Sequence, residues 1–233
     1  AGALPAEKVL IGTGCAALAD TLRLTRAALE AGLAHVLMLP PFYYKNVSDD
    51  GVFGAFAETI ERLGDARLRI TLYHFPQMSA VPIGRELVGR LVAAYPDTIA
   101  GVKDSSGDWD YTRALLGEHP NLAVFSGSER FLLDNLRAGG LGCISATTNV
   151  DAPMAQAVHA AWRAGDAAGA DALTFPDHAT GDLVSGGDNM DDSEWGEWFA
   201  ATSWLAQETL VAPAIGNHEY FEEFEDTPQE RRV

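Results

Sequence analysis

Positive charge is scarce in this chain. Its 233 residues carry 16 lysines and arginines against 33 aspartates and glutamates, a formal net charge of −17. Only Lys8, Lys45 and Lys103 are lysines. A protein of that sign repels polyphosphates and anionic headgroups, so neither nucleic acid nor a membrane is expected as a partner. Cysteine is nearly absent as well. Cys15 and Cys143 fit no metal-ligand spacing and make no disulfide framework, which makes a cytoplasmic setting the expectation. No stretch approaches the roughly 18 to 20 consecutive apolar residues of a membrane span. The opening Ala1-Gly2-Ala3-Leu4-Pro5 lacks the charged-then-apolar layout of a signal peptide. A glycine-rich phosphate loop is missing too, since Gly12-Thr13-Gly14 alone is too short to be one.

What is present is enough apolar material for a core: 47% of residues, with a mean hydropathy of −0.02, as in globular proteins. The length fits one large α/β domain or two smaller ones. Charge is unevenly spread. Residues 174–233 hold 14 acidic and 2 basic side chains, and residues 1–173 hold 19 and 14. A boundary is therefore expected near Leu173-Thr174, separating parts 1–173 and 174–233.

The first part alternates short apolar runs with helical patterns. Strands are expected at Val9–Gly12, His35–Leu39, Arg69–Phe75, Thr98–Lys103, Leu122–Phe125 and Gly142–Ala146. Helices are expected near 18–31, 49–63, 84–95, 109–117 and 129–138. A single long one is expected near 152–172, with Asp151 as N-cap and Pro153 in its first turn. This alternation implies parallel strands with right-handed crossovers. Tyr43, Tyr44, Tyr73, Lys103, Ser126 and Ser128 all fall at the C-terminal ends of the strands, where a (β/α) barrel carries its chemistry. An open doubly wound sheet is the competing arrangement.

Lys103 is the most informative of these. Ile99-Ala100-Gly101-Val102 leads into it, and Asp104-Ser105-Ser106-Gly107 makes a polar turn after it. An amine delivered by a buried strand into an apolar wall is easier to use as a neutral nucleophile. The alternative is a lysine that caps the strand end in solvent. For Tyr73 the alternative is a half-buried strand tyrosine with its hydroxyl in water.

Five segments in order carry a family resemblance: Leu39-Pro40-Pro41-Phe42-Tyr43-Tyr44-Lys45, Leu72-Tyr73-His74-Phe75-Pro76, Gly101-Val102-Lys103-Asp104-Ser105-Ser106-Gly107-Asp108, Phe125-Ser126-Gly127 and Ile144-Ser145-Ala146-Thr147-Thr148-Asn149-Val150. Over about residues 8–172 the chain resembles the dihydrodipicolinate synthase / N-acetylneuraminate lyase family of class I aldolases. The resemblance implies a TIM-type (β/α) barrel and a Schiff-base lyase or aldolase acting on a pyruvate-type 2-keto acid or sugar acid, without a cofactor. Lys103 would form the imine and Tyr73 would shuttle the proton. Tyr44 would be the relay tyrosine that reaches toward a neighbouring subunit, with Tyr43 as an adjacent alternative, so a homo-oligomer is implied. Ser126, Gly127 and the backbone near Ile144 would hold the keto acid.

Three departures stand out. Met78 occupies the position of the arginine that grips a dicarboxylate in the synthases, which disfavours that substrate. His74 replaces the common asparagine and reads as structural. Val9–Gly14 resembles the family's third barrel strand, so the first two βα units, one of which carries the carboxylate-binding loop, have no counterpart. The resemblance thus implies an incomplete barrel of six family strands, with two open edges and an activity impaired by that loss.

In the second part, Gly181-Asp182-Leu183-Val184 and Gly216-Asn217-His218-Glu219 resemble the middle of a calcineurin-like metallophosphoesterase over about residues 177–221. That resemblance implies a divalent metal pair with Asp182 and Asn217 as ligands and His218 against phosphate. Further metal ligands are missing from the sequence, so a structural remnant is the leading alternative. Two readings of the whole chain follow besides the lyase: a metal-dependent phosphoesterase fragment, or an inactive chimeric fusion. The strand–helix–strand pattern expected at His178–Val184, Ser193–Glu208 and Leu210–Ile215 would have the right form to close the barrel.

Overall fold

The computed structural model describes residues 5–146 and 148–173, with the side chains of 148–151 left aside. The strands and helices expected after residue 173, the boundary at Leu173-Thr174 and the closure of the barrel lie outside these residues. Six parallel strands form one sheet in the order β1-β2-β3-β4-β5-β6. They are β1 (Ile11–Gly12), β2 (His35–Met38), β3 (Arg69–His74), β4 (Ile99–Asp104), β5 (Ala123–Ser126) and β6 (Gly142–Cys143). Strictly sequential order with no reversal leaves no topological switch point, so this is the winding of a barrel rather than of a doubly wound sheet. The sheet is an incomplete TIM-type barrel. Its end strands, β1 and β6, are each two residues long.

The helices are α1 (Leu18–Glu30), α2 (Asp49–Leu63), α3 (Pro76–Ser79), α4 (Arg85–Ala94), α5 (Trp109–Glu118), α6 (Leu132–Arg137), α7 (Thr148–Arg163) and α8 (Ala167–Ala172). Local chemistry explains their ends. Ser48 caps α2 by accepting from the Gly51 amide at 3.2 Å, and Asp49 and Asp50 complement the positive end of its dipole. Gly64 closes α2 at φ 59°, a left-handed conformation that costs glycine nothing. Asp108 caps α5, accepting from the amides of Asp110 and Tyr111.

The core follows from strand alternation. Val36, Met38, Ile70, Leu72, Val102 and Val124 are buried almost completely, as are Phe56 of α2, Leu87 and Leu91 of α4 and Leu115 of α5. These strand residues share one side of the sheet, and helices α1, α2, α4 and α5 cover it. On the other side Leu37, Tyr73, Ala123 and Phe125 are only half-buried.

Two expectations need correction. The long helix near 152–172 is two helices: α7 begins at Thr148 and ends at Arg163, and Gly165 (φ 78°) turns the chain before α8. Asp151 is thus inside α7 rather than its N-cap, and so is Pro153. The short α3 was not expected; Pro76 fits its first turn, and Ala80 ends it in a left-handed conformation (φ 52°).

The described chain falls into two units. One comprises the residues up to Gly127 with Phe131–Ile144, and the other Ser128–Arg130 with the residues from Ser145 on. Among the described residues no helix is long and apolar enough to cross a membrane.

Candidate active site

Lys103 sits one residue from the end of β4, and Tyr73 one residue from the end of β3, directly opposite each other in the parallel register. The lysine is 8% exposed. Its Nζ lies over the Tyr73 ring, 4.0 Å from the centroid, and the ring stacks on Phe75 at 5.7 Å. The electron-rich face of the ring attracts the N–H groups of the amine and fixes where it stands. This burial does not fit the alternative of a lysine that caps the strand end in solvent.

Room for this arrangement comes from glycine. A Cβ on Gly101, two residues before Lys103 on the same face, would lie 2.3 Å from the Ala123 carbonyl oxygen. Only glycine lets β4 and β5 approach so closely at that level. The same holds for Gly127, whose Cβ would lie 2.6 Å from Ser105 Cα and 2.8 Å from the Asp104 carbonyl oxygen. The Gly127 amide donates to that carbonyl at 2.6 Å, and the Ile144 amide donates to the Ser126 carbonyl at 2.9 Å. Ser126, Gly127 and Ile144 therefore come together at the C-terminal ends of β5 and β6, beside Lys103. By alternation the Ser126 side chain shares the buried, helix-facing side with Asp104, its register partner, so it is not on the face that carries Lys103.

Tyr44 is placed differently. It lies on the loop after β2, 72% exposed, with the equally exposed Tyr43 ring edge-on to it at 5.3 Å. The Lys45 ammonium ties this loop down, donating to the carbonyls of Phe42 and Ser79, the latter at 3.0 Å. Met78 projects from α3 and is 57% exposed.

Asp104, Tyr111 and Thr112 form a largely buried group behind this site whose role nothing in the sequence pattern marks. Asp104 is buried, accepts from the Ser106 amide at 2.9 Å and from the Thr112 hydroxyl. Burial lowers the His74 pKa from the usual histidine value, although the Asp104 and Asp108 carboxylates pull the other way. Burial, with Asp104, raises the Tyr111 phenol well above its ordinary range. His74 as a structural residue agrees with this setting.

Asp182, Asn217 and His218 lie outside the described residues. Among the described residues no group of three or more His, Cys, Asp or Glu could hold a metal ion.

Comparison with known proteins bears on the first part of the chain. The Dihydrodipicolinate synthetase family matches residues 6–176. A DapA-like lyase of Chloroflexus aurantiacus is 40% identical over 165 residues, covering 70% of this chain and 55% of that protein. A 4-hydroxy-tetrahydrodipicolinate synthase of Hyphomonas neptunium is 36% identical over 177 residues, 74% of this chain and 57% of the synthase. The crystal structure of YagE from Escherichia coli K12 in complex with pyruvate superposes with a TM-score of 0.65 at 30% identity, covering 71% of this chain and 55% of that one. YagE is described as a putative 2-dehydro-3-deoxy-D-gluconate aldolase. The chain spans about half the length of the curated relatives it matches. The family match ends at residue 176 and lends nothing to a phosphoesterase or a chimera.

Proposed function

Because the chain belongs to the dihydrodipicolinate synthetase family, we propose that it is a class I lyase or aldolase that forms a Schiff base with a pyruvate-type 2-keto acid or a sugar acid. The observation that carries this reading is the buried Lys103 amine, held over the ring of Tyr73 on the neighbouring strand. The Lys103 Nζ lone pair attacks the keto carbon, and loss of water leaves an imine. Its protonated nitrogen draws in the electron pair when the bond between the carbon beside the imine and the hydroxyl-bearing carbon breaks, leaving an enamine, and the reverse sequence makes the bond. Tyr73 accepts the proton from the hydroxyl whose carbon is released as a carbonyl, and returns it in the synthetic direction. The imine nitrogen is the electron sink, so the reaction calls for no metal or other cofactor.

The remaining residues take supporting parts. Ser126, Gly127 and Ile144 shape the strand ends against which the keto-acid end rests. Tyr44 completes a proton relay across a subunit contact, which makes a homo-oligomer the working form and accounts for so exposed a tyrosine pair. Met78 supports a sugar acid over a dicarboxylate, since a thioether offers no charged fork to a second carboxylate.

Borohydride reduction in the presence of pyruvate tests the reading. The intact protein is expected to gain the mass of one reduced pyruvate imine, and Lys103→Ala to gain none. Equal labelling of both proteins, or no labelling of either, would remove it.

A further inference from the structure

Behind the Lys103–Tyr73 pair, on the helix-facing side of the sheet, lies a polar cluster that the proposed chemistry leaves unused. Its node is the backbone of Ile83, on the segment leading into α4. The Ile83 amide donates to His74 Nδ1 at 3.0 Å, and the Ile83 carbonyl accepts from the Tyr111 hydroxyl at 2.6 Å. The His74 and Tyr111 rings stack, with centroids 4.5 Å apart at 26°. One strand over, Asp104 stands opposite His74 in the register, and its carboxylate accepts from the Thr112 hydroxyl and the Ser106 amide. The Ser105 amide donates to the His74 carbonyl at 2.8 Å. His74, Asp104 and Thr112 are all buried.

We infer that His74 is a positioning residue: with Tyr111, Asp104 and Thr112 it clamps the ends of β3 and β4 to the first turn of α5, and so sets Tyr73 against Lys103 on the opposite face. The catalytic consequence rests on the proposed imine chemistry; the clamp itself does not. Tyr73 and Lys103 each precede a clamp residue by one position, so they share its backbone while facing the other way. Any movement of the His74 or Asp104 main chain moves the pair. A buried hydrogen-bonded network resists such movement, and removing a member leaves costly unpaired groups.

The clamp requires a lone pair on Nδ1, so it requires neutral histidine. Protonation would set an N–H against the Ile83 N–H. The groups facing the ring are Asp104 from β4, and Asp108 and Tyr111 from the N-terminal end of α5. Asparagine can present its amide oxygen where Nδ1 stands and keep the bond; leucine fills the space and cannot accept.

Limited reductive methylation with formaldehyde and cyanoborohydride tests the clamp without any substrate. Lys8, which is exposed, serves as the internal reference for Lys103, and peptide mass spectrometry reads the ratio of their labelling. His74→Leu is expected to raise the Lys103-to-Lys8 ratio at least about fivefold as the rim opens. His74→Asn should stay within about twofold of the parent protein, because the bond to Ile83 is kept. Tyr111→Phe removes one hydrogen bond and keeps the ring stack; it should shift the ratio in the same direction by less, and it serves if His74→Leu does not fold. An unchanged ratio in the folded variants, or His74→Asn behaving like His74→Leu, overturns the clamp. Pyruvate trapping on the same proteins separates the two ideas. No adduct in the parent with the predicted labelling pattern removes the imine and keeps the clamp. Equal adduct rates with equal labelling in all variants remove the clamp and keep the imine.

Discussion

Lys103 depends on neighbours of quite different kinds. Gly101 lets β5 come close beneath it, Tyr73 lies under its amine, and Asp104 anchors the strand that carries it. If Tyr73 moves the proton while Lys103 makes the bond, the two roles separate experimentally. Tyr73→Phe should slow hydrogen–deuterium exchange of the pyruvate methyl group by about a hundredfold or more, while borohydride still traps an adduct at Lys103; exchange at the parent rate would count against the tyrosine. His74 gives a pH prediction. Its folded pKa is depressed by burial. Its contribution to stability is therefore complete above the unfolded value of about 6.5 and is lost as pH falls toward the lower folded value. Chemical denaturation at a series of pH values should show a shallower acid loss of stability for His74→Asn than for the parent. Identical slopes would mean that His74 does not titrate as its burial requires.

At the scale of elements, the strands were legible because each is a short, mainly apolar run ended by polar, proline or glycine residues, and five of them carry motif residues at their ends. Helices α1, α2, α4 and α5 were legible from periodicity and caps, within a residue or two. What failed was the junction after Arg163. Gly165 takes a positive φ there, and a run of alanines on both sides hides the break from any hydrophobic pattern. The link between His74, Ile83 and Tyr111 was not legible either. It joins residues up to 37 positions apart through one backbone node, and nothing in the spacing marks Ile83. Glycine placement does carry a testable element-scale claim. Gly127→Ala forces a Cβ onto backbone atoms of Ser105 and Asp104. It should cost about 1–3 kcal/mol in denaturant unfolding, whereas Gly54→Ala on α2, where a Cβ meets nothing within 4 Å, should be neutral or stabilising.

For the whole molecule, six parallel strands in sequential order bring Tyr73, Lys103, Ser126, Gly127 and Ile144 to one edge of the sheet, although 71 residues separate the first from the last in sequence. Chemistry at the C-terminal ends of the strands is what this winding provides for. The family match ends at residue 176, before Asp182, Asn217 and His218, which lie outside the described residues. The central claim is that Lys103, of three lysines, forms an imine with a 2-keto acid. Digestion of the pyruvate–borohydride product and mapping of the adduct by mass spectrometry tests it most directly. Modification is expected on the peptide containing Lys103, with Lys8 and Lys45 unmodified. Adduct spread over all three lysines, or found only on Lys8 or Lys45, would contradict it.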